Sequence, residues 1–145
     1  MTERKSTKYI AVHCSATKPS MDIGEDEIRV WHKNNGWLDI GYNIVIRRHG
    51  LIEIGRPLDH QGAHVAGYND VSLGICLIGG VDENLKAADN FTAAQWVSLA
   101  STLTWLDRVY PDAIIQGHRD FPGVAKDCPS FDVKGFVRNI GLRKE

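Results

Sequence analysis

Apolar and polar positions alternate along the chain in a way that marks out short strands and amphipathic helices. Tyr9-Ile10-Ala11-Val12 is an apolar run ending at His13, and the polar stretch Cys14 to Ser20 follows it, which predicts a short buried strand over residues 8–13 and a loop after it. From Glu25 to Asn35, Ile28, Trp31 and His32 recur at helical spacing. Three acidic residues, Glu25, Asp26 and Glu27, occupy the first turn of that segment and Gly36 lies just past its end, so a first helix is expected there. Tyr42 to Arg48 and Leu51 to Ile54 are β-rich runs joined across His49-Gly50, the pattern of a hairpin. Residues 57–69 form a long loop containing His60, Gly62, His64 and Gly67. Val71 to Ile78 is almost continuously apolar, as expected of a central strand covered on both faces, with Cys76 as inert core.

The second half carries the strongest helix signal. Thr92 and Gln95 have capping-box spacing, and Phe91 stands where a staple residue would pack on the first turn. Trp96, Leu99, Leu103, Leu106 and Tyr110 then form one stripe that stops before Pro111, and packing alone explains that spacing. Ala113 to His118 reads as the last strand and Asp132 to Ile140 as a short closing helix with Phe136, Val137 and Ile140 inward. Strands interleaved with helices predict an α/β domain, and the hairpin makes its sheet mixed. With no repeat or linker, residues 9–145 form one domain and residues 1–8 a flexible polar tail.

Composition narrows the function classes. Seventeen Lys and Arg residues against eighteen Asp and Glu leave a net charge of -1, which argues against an electrostatic nucleic-acid binder. Three irregularly spaced cysteines do not form a disulfide framework and fit a chain made in a reducing compartment. No apolar stretch approaches the roughly 18 residues of a membrane span or the core of a signal peptide. At 145 residues the chain can bury about two-thirds of its unfolded surface without a staple, so a bound metal would be functional rather than structural.

The chemistry concentrates near the carboxyl end. His118 and Cys128 stand ten positions apart across a Pro- and Gly-containing loop, and Lys126 precedes the cysteine by two. An imidazole, a thiolate and an ammonium suggest a metal with an electrostatic helper, and catalytic zinc usually takes three protein ligands. His13 is the best third ligand, because it and His118 both end apolar runs and would be delivered to a rim by their strands. Asp120, Asp127 and Asp132 are candidates to orient ligands from behind. No carboxylate is required as a base.

Several longer segments carry a family resemblance: Val12-His13-Cys14-Ser15-Ala16-Thr17-Lys18-Pro19-Ser20, Gly36-Trp37-Leu38-Asp39-Ile40-Gly41-Tyr42, Gly74-Ile75-Cys76-Leu77-Ile78-Gly79-Gly80 and Cys128-Pro129-Ser130-Phe131-Asp132. In these the chain resembles the zinc N-acetylmuramoyl-L-alanine amidases, and within them the short phage endolysins, over nearly its whole length. The resemblance implies a zinc ion in a surface groove, one per chain, held by His13, His118 and Cys128. It further implies catalytic roles for Tyr42 and Lys126. His60 and His64, in the long loop, read as surface residues or pocket walls, and His64 is the candidate contact for substrate. The expected activity is hydrolysis of the amide between N-acetylmuramic acid and L-alanine of peptidoglycan, by a monomer that waits in the host cytoplasm until the membrane is permeabilised. A second implied partner is a phage RNA polymerase, which the protein would inhibit. The alternative is a non-catalytic peptidoglycan-recognition module, but such relatives typically replace the thiolate ligand, and Cys128 is present. The chain departs from the phage pattern in a shorter amino end and in the loop from Phe121 to Asp127.

Overall fold

In a computed structural model that describes residues 1–142, five strands and three helices follow one another as β1 (Tyr9–Cys14), α1 (Glu25–Asn34), β2 (Ile44–Ile46), β3 (Ile52–Ile54), β4 (Ser72–Leu77), α2 (Ala93–Val109), β5 (Ile114–Gly117) and α3 (Val133–Asn139). The last three positions of the expected 9–145 domain lie outside the described residues. The sheet order is β3-β2-β4-β1-β5. β1 runs parallel to β4 and β5, β2 runs parallel to β4, and only β3 is antiparallel, through the hairpin at Gly50, whose φ is +94°. The sheet is therefore mixed, and its longest strands, β1 and β4, almost wholly buried, lie side by side within it, as their apolar runs predict.

Side-chain alternation gives the two faces different fates. Ile10, Val12 and Cys14 of β1, with Leu73, Ile75 and Leu77 of β4, turn to one face and pack with Leu99, Leu103 and Leu106 of α2 and Val133 and Val137 of α3. The opposite face carries Tyr9, Ala11 and His13 of β1 and Ser72, Gly74 and Cys76 of β4. Helix α1 covers only part of it: Ile28 is its one buried residue, joining Ile23, Ile40, Val45, Cys76 and Ile78. The predicted stripe of α1 is thus narrower than its spacing suggested, since Trp31 remains 40% exposed and His32 accepts a hydrogen bond from the Gly41 amide (2.8 Å). The remainder of that face is walled by loops.

The α2 start behaves as its sequence dictates. Thr92 Oγ1 accepts from the Gln95 amide (3.0 Å), the Gln95 side chain accepts from the Thr92 amide (3.0 Å), and the Phe91 and Trp96 rings meet edge-on at 5.5 Å. Residues 2–8, expected as a tail, run beside the long loop. The Thr2 carbonyl accepts from the Gln61 amide (2.8 Å), the Arg4 amide donates to Asp59 (2.8 Å), and the Arg4 guanidinium donates to the His60 carbonyl (3.0 Å) and the Tyr110 hydroxyl (3.2 Å). Among the described residues no helix is long and apolar enough to cross a membrane.

Candidate metal centre

β1 and β5 are parallel neighbours, so their carboxyl ends open on the same edge of the sheet. His13 is the penultimate residue of β1, and His118 opens the 3-10 turn that follows β5, one position past the strand's end at Gly117. Their rings lie 4.5 Å apart, centroid to centroid. The third group arrives on the loop after β5. The Arg119 amide donates to the Cys128 carbonyl (2.9 Å) and Ser130 Oγ donates to the Gly80 carbonyl (2.8 Å), anchoring the loop on both sides of the thiol. His13, His118 and Cys128 consequently offer donor atoms that all lie within 4.8 Å of one another.

This donor set fits a metal. Tetrahedral zinc with bonds of about 2.0 to 2.3 Å holds its ligands roughly 3.3 to 3.8 Å apart, and two neutral imidazoles with one thiolate are a borderline-soft set suited to it. Both imidazoles are held neutral. Burial pushes His13 well below the ordinary histidine value, helped by the neighbouring His64, His118 and Lys126, and burial followed by Lys126 lowers His118. The Cys14 amide donates to Cys128 Sγ (3.2 Å), a bond that favours a thiolate there. Between the two thiols alone, the hydrogen bond with Cys14 and then burial push the Cys128 thiol up, while the same bond draws Cys14 down to about 7. A cation at the three donors would reverse that order, because a coordinating thiol is deprotonated outright.

The expected helpers stand beside the cluster. Tyr42, just before β2, has its ring 5.1 Å from that of His13. Burial raises its hydroxyl well above the ordinary tyrosine value, with Cys76, Cys128 and Cys14 adding to the effect. Lys126 is exposed and lines a cleft of about 560 Å³ together with Trp37, His64, Asn69, His118 and Val124. His64, by contrast, is not simply a wall residue: its Nδ1 lies 2.8 Å from His13 Nε2. His60 pairs with Asp59 (2.7 Å) at the surface, away from the centre.

Two of the carboxylates considered as orienting groups serve the backbone. Asp120 accepts from the Gly117 amide (2.9 Å), and Asp132 accepts from the Gly135 amide (3.1 Å) as the cap of α3. Residue types alone did not point to Cys14, whose amide meets the ligand sulfur, or to Asn69, whose Oδ1 accepts from the amides of both His64 and Val65 (2.9 Å each). In the sequence Cys14 is marked by its place next to His13 within the first of the resembling segments.

The profile of the N-acetylmuramoyl-L-alanine amidase family matches residues 3–131. The chain is 50% identical over 133 residues to an endolysin of Klebsiella phage KP32, covering 92% of this chain and 87% of that protein. It is 49% identical over 132 residues to an endolysin of Escherichia phage T7, covering 91% and 86% respectively. Among solved structures, the N-acetylmuramoyl-L-alanine amidase LysC from Clostridium intestinale URNW superposes with a TM-score of 0.80 at 25% identity, covering 94% of this chain and 87% of LysC.

Proposed function

This chain belongs to the N-acetylmuramoyl-L-alanine amidase family, and from that premise we propose that it is a zinc-dependent phage endolysin. Its substrate is the amide between the lactyl group of N-acetylmuramic acid and L-alanine in peptidoglycan. The observation that carries the reading is the convergence of His13, His118 and Cys128 at the edge of a cleft that also holds Lys126. Bound by those three side chains, zinc would polarise the scissile carbonyl and lower the pKa of a coordinated water from about 15.7 toward about 7.

The remaining roles belong to the chain's own groups. In amide hydrolysis the carbonyl oxygen gains negative charge as the carbon becomes tetrahedral, and the Lys126 ammonium can donate to it there. The Tyr42 hydroxyl, beside His13, can donate a hydrogen bond that fixes the reacting groups. Breakage of the C–N bond leaves the lactyl carboxylate on the sugar and frees the amine of L-alanine. The cleft lies at the surface, where a polymer can be laid across it, and the protein reaches that polymer once the membrane is permeabilised.

Stripping the protein with a chelator and adding metal back tests this reading. Hydrolysis of peptidoglycan is expected to vanish and to return with one equivalent of zinc. Full activity in a preparation containing no metal would overturn it.

A further inference from the structure

We propose that His64 is a positioning residue that locks His13 in the tautomer whose Nδ1 is free for a metal, through a chain of hydrogen bonds ending at Ser72. The inference rests on the zinc amidase reading above and adds a role for a residue that is not itself a ligand.

Hydrogen-bond arithmetic assigns the protons. One of His13 Nε2 and His64 Nδ1 must donate across their 2.8 Å separation. The other nitrogen of His64, Nε2, faces the Ser72 carbonyl and the Ser72 hydroxyl oxygen, both at 3.4 Å. A carbonyl only accepts, and the Ser72 hydroxyl spends its proton on the Tyr68 carbonyl (2.7 Å). Both therefore present lone pairs to His64 Nε2, which must carry the hydrogen. A neutral imidazole has one N–H, so His64 Nδ1 is the acceptor and His13 Nε2 the donor. His13 Nδ1 is then left with a lone pair. The opposite arrangement would place a hydrogen on His13 Nδ1 and set His64 Nε2 against two acceptors.

The seat for this ring is built into the fold. A Cβ on Gly74 would come within 2.8 Å of His64 Cγ and Nδ1, and a Cβ on Gly62 within 2.6 Å of its Cδ2, so two glycines leave the slot that the imidazole fills. Gly74 pairs with Ala11 in the sheet, two residues before His13 on the same face of β1. Asn69 accepts from the amides of His64 and Val65 and holds the loop above the slot. Partners that orient a ligating histidine through its other nitrogen are worth about 10- to 100-fold in metal affinity.

The test uses the full chain and two substitutions. Nitrogen-15 NMR of the imidazoles in the metal-free protein should show both His13 and His64 as Nε2–H tautomers. His64→Phe, which fills the slot but cannot accept, should weaken zinc binding by about 10- to 100-fold in a chelator competition, and should release His13 into a mixture of tautomers. His64→Asn, whose amide oxygen can occupy the place of Nδ1, should bind zinc more like the native protein than like His64→Phe. The proposal is overturned if His13 carries its proton on Nδ1 in the native protein, or if a folded His64→Phe variant binds zinc as tightly as the native chain. If the native chain binds no zinc, the amidase reading fails while the NMR measurement still decides the tautomer lock.

Discussion

The backbone amide of Cys14 donates to the sulfur of Cys128 across 3.2 Å, joining residues 114 positions apart in the chain. Cys14 follows His13 directly, so one strand end both supplies a donor and polarises the donor brought by the distant loop. The sulfur's environment is thus set by β1 rather than by its own loop. Cys128→Ser keeps the shape of the side chain but offers no thiolate. It should lower zinc affinity by more than the about 10- to 100-fold expected for an outer partner, with little loss of stability, as competition with a chelator and a thermal melt would show. Stoichiometric zinc at native affinity in the serine variant would remove Cys128 from the ligand set.

Metal and fold should be separable. The buried cluster between the sheet, α2 and α3 is built without His13 or His118, and Cys128 only packs against its margin, so the core is large enough to hold the domain together by itself. The metal-free protein is therefore expected to keep its far-ultraviolet circular dichroism and a cooperative unfolding transition. Loss of that transition on chelation would make the metal structural, as in small zinc domains.

Acid should destabilise the metal-free form. Burial holds His13 well below the ordinary 6.5 and His64 at about 3, so as the pH falls below 6.5 the unfolded chain takes up protons that the folded chain refuses. Stability is then full above about pH 6.5 and falls as pH drops, by up to about 1.4 kcal/mol per pH unit for each such histidine, continuing to about pH 3 for His64. Urea midpoints at pH 7.5 and 5 measure this, and the His64→Phe variant should show a shallower slope. Equal slopes in the two proteins would contradict the buried neutral state of His64.

Lys126→Ala should cut turnover by about 10² to 10³, the usual effect of removing one stabiliser of the developing oxyanion, while zinc content stays the same. Tyr42→Phe should also slow turnover but leave the fold intact, because the ring that packs beside His13 remains. Native rates in both variants would mean that neither group takes part in the reaction.

Much of this arrangement was legible in the sequence because it depends on local periodicity. The stripe and capping box of α2, the apolar β4 and the placement of His13 and His118 at strand ends all follow from spacing that a single segment carries. The network around the centre does not. His64 meets His13 only because β1 and β4 pair in one particular register and Gly74 leaves room on that face, a relation among three segments with no local signature. Asp120 and Asp132 looked like orienting carboxylates, yet each sits three residues before or after an amide that needs capping, and local hydrogen bonding claims them first. The stripe of α1 failed for a tertiary reason: Ile28 is its one buried residue, and Trp31 stays 40% exposed.

The central claim concerns which bond is cut, and the chemical groups released from purified peptidoglycan test it most directly. A centre built from two imidazoles, a thiolate and an ammonium is suited to an amide, whereas a sugar-cleaving site uses a pair of carboxylates. Digestion with the zinc-loaded protein should release new L-alanine amino termini in step with solubilisation of the wall, and no new reducing sugar ends. New reducing ends without free L-alanine amines would contradict the account.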